Sequence, residues 1–281
     1  HLHARVLDRL ALGHAFHAVD HGRRRGVDLA EGPVRRELAP EHAQLVVEAR
    51  HVRHRLRQEG SPDEHRQVAR AVRRALSPAA QLGQRAQVRD HFNEITLTLR
   101  ESAAPGRQFT LVFRSFDDGV AFRYQVPAQA ALAGELVISD ELTEFAFARN
   151  FSAWWIQAYQ DQRFEYQYLN SALSSVNVAH TPLTLLDNGI AISVHEAALV
   201  NYASMTLRHI TDNHITLKAD LVPWANGDKV YTQTPFQTPW RTIQIADSEV
   251  ALLNSDLILN LNEPAAKDTD ISYIKPGKYM G

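Results

Sequence analysis

The stretch FTLVFRSFDDGVAFRYQV, residues 109–126, alternates on both sides of an Asp-Asp-Gly turn. Phe109, Leu111 and Phe113 share one parity, with Thr110, Val112 and Arg114 on the other. Beyond Phe116-Asp117-Asp118-Gly119 the pattern resumes: Val120, Phe122, Tyr124 and Val126 alternate with Ala121, Arg123 and Gln125. A side-chain period of two means strand, and two such runs joined by a short Asp-Gly loop mean a β-hairpin. Its apolar side supplies large aromatic anchors for a core. Asp117 and Asp118 are adjacent and so point to opposite faces; they read as turn formers, not as an acid/base pair.

The same reading extends in both directions. Upstream, Ile95, Leu97 and Leu99 alternate with Thr96, Thr98 and Arg100. Downstream, strands are expected at 144–148, 190–196, 205–210, 214–222 and 242–246. Many short strands with one apolar side, separated by turns, imply antiparallel sheets packed face to face. There is no βαβ alternation, no Gly-rich phosphate loop and no internal repeat. The expected fold is mainly β, a large antiparallel β-sandwich. At 281 residues the chain has the mass for a sizeable core.

Net charge is −2, so no bulk field marks a nucleic-acid partner or an anionic membrane surface. There is no cysteine, which excludes disulfides and thiolate metal sites. No apolar run approaches the roughly 18 residues of a membrane span, and no signal peptide is readable. Composition breaks sharply near residue 87. Residues 1–86 hold 16 Arg, nine of the 14 His and no Lys, Ile, Thr, Asn, Tyr or Trp. That segment carries +6 and the remainder −8. Such a composition fits a GC-rich gene read in a wrong frame or on the opposite strand, or else a separate domain of different character. Residues 1–86 are therefore expected to be atypical, with no core role, and 87–270 to form the sandwich. Within the first segment, scattered His51 and His54 lack the partners of a metal site, and Arg23-Arg24-Arg25 reads as a solvated loop.

Glu196 is the one oddly placed residue. If 190–196 is a strand, Ile190, Ile192, Val194 and Glu196 share a side, so an apolar row ends in a carboxylate. That carboxylate must find water at the sheet rim, a cation or a hydrogen-bond donor. His195-Glu196-Ala197-Ala198-Leu199 opens like a zinc-protease helix but lacks the second histidine. Trp154, Trp155, Tyr159, Tyr166 and Tyr168 read more readily as core than as a sugar platform. Arg241, in Thr238-Pro239-Trp240-Arg241, could pair with a carboxylate across an interface. No Ser/His/Asp set is recognisable.

Taken in order, several stretches resemble glycoside hydrolase family 97. They are residues 113–124, Trp154-Trp155, Thr181-Pro182-Leu183-Thr184, the run from His195 through Met205, and Thr238-Pro239-Trp240-Arg241-Thr242-Ile243. They continue with Leu261-Asn262-Glu263-Pro264 and Ile274-Lys275-Pro276-Gly277-Lys278-Tyr279. The resemblance covers about residues 88–281 and is to the family's N-terminal domain. That domain is a large super-sandwich, galactose-mutarotase-like, which precedes a (β/α)8 catalytic barrel. The resemblance implies a calcium-dependent, exo-acting α-glycosidase acting on α-glucosides or α-galactosides and located in the periplasm. It maps Glu196 onto a sandwich-borne calcium ligand that reaches across to the barrel. Residues 271–281 then begin the linker into that barrel. No catalytic residue is expected here, because the resemblance implies that the general acid and the base or nucleophile lie on barrel loops, and one sandwich glutamate cannot supply the two carboxyl groups that hydrolysis needs. The implied partners are the protein's own barrel and an α-linked oligosaccharide, and tight calcium binding is expected to need the barrel. Two other readings stand beside this one: a free-standing carbohydrate-binding module, and a non-functional reading frame. The closing Lys275–Tyr279 stretch favours the first over a module, which would end with its last strand.

Overall fold

A computed structural model of the chain describes residues 67–77, 88–160, 165–211, 215–264, 270 and 272–273. His51, His54, Arg23–Arg25 and Lys275–Tyr279 lie outside the described residues. The first strands in chain order are Gln67–Ser77 (β1), Val88–Arg100 (β2), Gln108–Phe116 (β3), Gly119–Val126 (β4), Leu136–Ile138 (β5) and Glu144–Phe147 (β6). Next come Ser152–Trp155 (β7), Leu169–Ala172 (β8), Val178–His180 (β9), Leu183–Asp187 (β10) and Ile190–Ala197 (β11). Then follow Met205–Thr211 (β12), Ile215–Leu221 (β13), Val230–Thr232 (β14), Phe236–Gln237 (β15) and Trp240–Ala246 (β16). Two short helices close the described fold, Glu249–Leu253 (α1) and Leu257–Leu261 (α2).

The strands form a large sheet in the order β1-β2-β3-β4-β16-β11-β10-β7-β8, with β15 added beside β4. A four-stranded sheet, β6-β13-β12-β9, faces it, and β14 pairs with β5. All the described pairings are antiparallel. The hairpin read from residues 109–126 is β3–β4, with Phe116 opposite Gly119 across the Asp117-Asp118 turn. Gly119 has φ +150°, and a Cβ there would stand 2.3 Å from the Ile243 carbonyl oxygen, so only glycine lets β16 approach. Asp118 does more than turn the chain. Its Oδ2 accepts from Ser255 Oγ at 2.6 Å, Asp256 N at 2.9 Å and Leu257 N at 3.1 Å, which ties α2 to the hairpin.

The core lies between the two sheets because each contributes its apolar parity. Leu97, Leu111, Phe122, Leu185 and Val194 come from the large sheet, and Phe145, Leu207, Leu217 and Leu221 from the small one, all buried. Phe122 and Phe145 meet across the gap with ring centroids 6.3 Å apart. The fold is thus a β-sandwich. On the outer face of the large sheet, α2 packs Leu257 and Leu261 on Val112, Ala121, Ala197 and Trp240.

One feature departs from the composition-based division of the chain. β1 lies inside residues 1–86, where no strand was expected, and pairs along its whole length with β2, from Gln67 opposite Thr98 to Ser77 opposite Val88. In QVARAVRRALS, Val68, Val72 and Leu76 share a parity, but Arg70 and Arg74 interrupt it. The expected boundary at residue 87 therefore falls between two paired strands.

Candidate functional site

Strand alternation delivers Glu196 to the inner face, beside Ile192 and Val194 in the core row. It neither ends at a solvated rim nor points out of the sandwich; it is 7 % exposed. Its register partner on β16 is Arg241, directly opposite. Arg241 Nη1 donates to Glu196 Oε2 at 2.7 Å, and the Met205 N–H donates to Oε1 at 3.0 Å. Arg241 is wholly buried. The partner expected across an interface is inside this chain.

Arg241 holds a second carboxylate more firmly. Its Nε donates to Glu141 Oε1 at 2.8 Å and its Nη2 to Glu141 Oε2 at 2.6 Å, a two-pronged pairing that fits the guanidinium plane. Thr143 Oγ1 donates to Glu141 Oε1 at 2.8 Å, and Tyr202 Oη to Oε2 at 3.3 Å. Tyr124 Oη lies 3.1 Å from Thr143 Oγ1 and extends the network. Glu141 sits just before β6, so one guanidinium joins the two sheets.

The two carboxylates are unequal because their donors are unequal. Burial pushes the Glu141 carboxyl up, but the Arg241 charge and hydrogen bonds, with Thr143 and Tyr202, hold it below the ordinary 4.5. For Glu196, burial wins over Arg241 and the Met205 amide, and the nearby Glu141 charge adds to it, so its carboxyl is raised above 4.5. Burial would lower Arg241, but Glu141 first and then Glu196 hold its proton more tightly than usual. Two carboxylates against one guanidinium leave a formal −1 when all are ionised. Glu196 has fewer donors than Glu141 to offset a negative charge. A buried carboxylate with a raised pKa and a named charge partner is a mark of functional sites.

This arrangement cannot be an acid/base pair for a glycosidic bond, since Arg241 fills the space between the two carboxylates that a sugar would need. Among the described residues no three His, Asp or Glu side chains converge that could hold a metal ion. Glu196 fits a cation site as a single donor with unneutralised charge. Beside the network, Tyr202 also lines a cavity of about 720 Å3 with Ser204, Trp224, Lys229 and Tyr231. Trp224 and Tyr231 are 63 % and 41 % exposed, with ring centroids 6.3 Å apart.

The other sequence candidates separate. Trp155 is core, whereas its neighbour Trp154 and Tyr159 and Tyr168 are exposed, as alternation on β7 requires for the first pair. Trp154 and Trp155 therefore do not form one platform. Glu141, Thr143 and Tyr202 were not singled out by sequence. Glu141 sits between strands, 100 residues from its partner, and no local pattern marks it.

The sequence matches the family described as Glycosyl-hydrolase 97 N-terminal over residues 61–264. Two solved structures from Pseudoalteromonas sp. are similar at 43 % identity and TM-score 0.70. They are a glycoside hydrolase family 97 enzyme in complex with acarbose and a variant of such an enzyme in complex with panose. Each match covers 75 % of this chain and 32 % of that one, so the chain spans about a third of the length of these relatives. A β-arabinopyranosidase at 21 % identity and TM-score 0.56 shares the fold. The match begins at residue 61, ahead of β1, and it ends at residue 264, just after α2. It thus takes in both sheets and the network around Arg241, and the chain belongs to glycoside hydrolase family 97, as its N-terminal β-sandwich domain.

Proposed function

We propose that this chain is the sandwich part of a calcium-dependent, exo-acting α-glycosidase, where it braces a (β/α)8 catalytic barrel and lends that barrel one calcium ligand, Glu196. The observation that carries the reading is the charge imbalance of the Glu141–Arg241–Glu196 network, with a raised carboxyl at Glu196. A buried carboxylate in excess over its guanidinium gains from a cation, and Arg241 with the Met205 amide fixes its orientation. Each Glu196 oxygen has accepted one hydrogen bond and keeps a lone pair for a metal. Calcium takes about six to eight oxygens, so the remaining ligands come from outside this group of residues. When bound, calcium would supply fixed positive charge at the boundary between sandwich and barrel. Family relatives solved with acarbose and panose support an α-linked oligosaccharide as the substrate class of the whole protein.

Calorimetry with calcium chloride on the 281-residue chain tests this. Binding weaker than about 0.1 mM is expected, in the range of loosely built calcium modules. Micromolar binding by the chain alone would require a complete site that these residues do not offer. A second reading, a carbohydrate-binding module, is favoured by the exposed Trp224–Tyr231 pair on its cavity. Saturable heat on adding panose to the same chain, lost in Trp224→Ala, would favour it over the first.

A further inference from the structure

The outer face of the large sheet carries a second polar cluster, on the side away from Glu196. Alternation puts Arg123 of β4 and Trp240 and Thr242 of β16 on that face, with Thr242 opposite Ala121 of β4. The Arg123 guanidinium carbon lies 4.3 Å from the Trp240 ring centroid, and that of Arg114 lies 4.6 Å from the same ring. Arg114 has its counter-charge, with Nε 2.8 Å from Glu94 Oε2. Arg123 does not. It is 8 % exposed, and among the described residues it has no ion pair and its Nε is a buried donor without a partner. Trp240 Nε1 and Thr242 Oγ1, on the same face, are also buried and unpartnered among the described residues.

A guanidinium does not shed its proton at ordinary pH, so it cannot escape burial by becoming neutral. Burial and the Arg114 charge both disfavour the Arg123 cation, with Glu263 and Glu94 only partly offsetting them. Buried donors without acceptors call for an explanation, and here three of them, one charged, lie on neighbouring strands. We propose that Arg123, Trp240 and Thr242 form a binding site for a carboxylate group on the outer face of the large sheet. The charge count selects the ligand. One guanidinium is unbalanced, so a single negative charge neutralises the site where a phosphate dianion would overshoot. The planar guanidinium edge also matches a carboxylate. Two sources share this chemistry: a free carboxylate ligand, or the exposed side chain of Glu263, which follows α2 and whose charge already acts on Arg123.

The test replaces sodium chloride by sodium acetate at constant ionic strength and follows the Trp240 indole and Arg123 Nε–H NMR signals in the 281-residue chain. A saturable downfield shift of both, with a midpoint in the millimolar range, is expected. Arg123→Met should abolish the Trp240 shift while raising the melting temperature in acetate-free buffer, because an unpaired buried charge is gone. Arg123→Lys, which keeps the charge and loses the fork, should weaken the midpoint about tenfold. In Glu263→Gln, a midpoint at least threefold tighter identifies Glu263 as the resident carboxylate, and an unchanged midpoint identifies a free ligand. No saturable shift in either wild type or Glu263→Gln, or an equal Trp240 shift in Arg123→Met, overturns the site and leaves buried water as the partner of these donors.

Discussion

At the scale of the residue, Glu141 and Glu196 share one guanidinium but respond oppositely to pH. Glu141 is held below its ordinary value, so it stabilises the fold above that value and the contribution is lost as pH falls through the lowered one. Glu196 is raised, so its contribution is present at low pH and is lost as pH rises through the raised value. Glu141→Gln should therefore cost about 3–5 kcal/mol at pH 7, as removing one partner of a buried pair does. At about 2–4 °C per kcal/mol this lowers the melting temperature by roughly 10 °C. Glu196→Gln should melt at or above wild type at pH 7, with the advantage vanishing as pH falls toward 4.5. Melting curves of the three proteins between pH 4 and 8 check this; equal losses from both variants would contradict the asymmetry. Glu196 was legible from sequence because parity alone puts it in the row of Ile192 and Val194. Its partners were not. Arg241 announces only that a carboxylate is needed somewhere, and Glu141 lies in an irregular stretch where no period assigns a face.

At the scale of the element, legibility followed one-sided alternation. The β3–β4 hairpin could be read because the parity of Phe109, Leu111 and Phe113 faces the core and the other parity carries polar residues. β5, β14 and β15 have three, three and two residues, too few for a period to show. β1 was hidden by its arginines; it is the terminal strand of the large sheet and covers the long edge of β2. An uncovered strand edge is a template for aggregation. A chain beginning at residue 88 should thus melt lower than one beginning at residue 61 by roughly 5 °C, corresponding to about 2 kcal/mol, and should aggregate sooner. Equal melting temperatures and solubility would show that β1 contributes nothing, as the composition of residues 1–86 suggested.

At the scale of the whole molecule, the described sandwich has the frame of a family 97 N-terminal domain, and Arg241 fills the space between its buried carboxylates Glu141 and Glu196. The purified 281-residue chain should release no nitrophenol from nitrophenyl α-glucoside or α-galactoside above the buffer rate. Turnover abolished by Glu196→Gln would give Glu196 a catalytic role that its pairing with Arg241 argues against.

The role proposed for Glu196 is tested most directly by activity against calcium concentration in a protein that joins this sandwich to the proposed barrel, comparing wild type with Glu196→Gln. Gln keeps the shape and the Met205 hydrogen bond but removes the charge. The expected result is a calcium midpoint at least tenfold higher in the variant, with full activity restored at saturating metal and a sandwich that melts no lower than wild type. The same calcium midpoint in both proteins would contradict a ligand role and leave Glu196 as a buried partner of Arg241 alone.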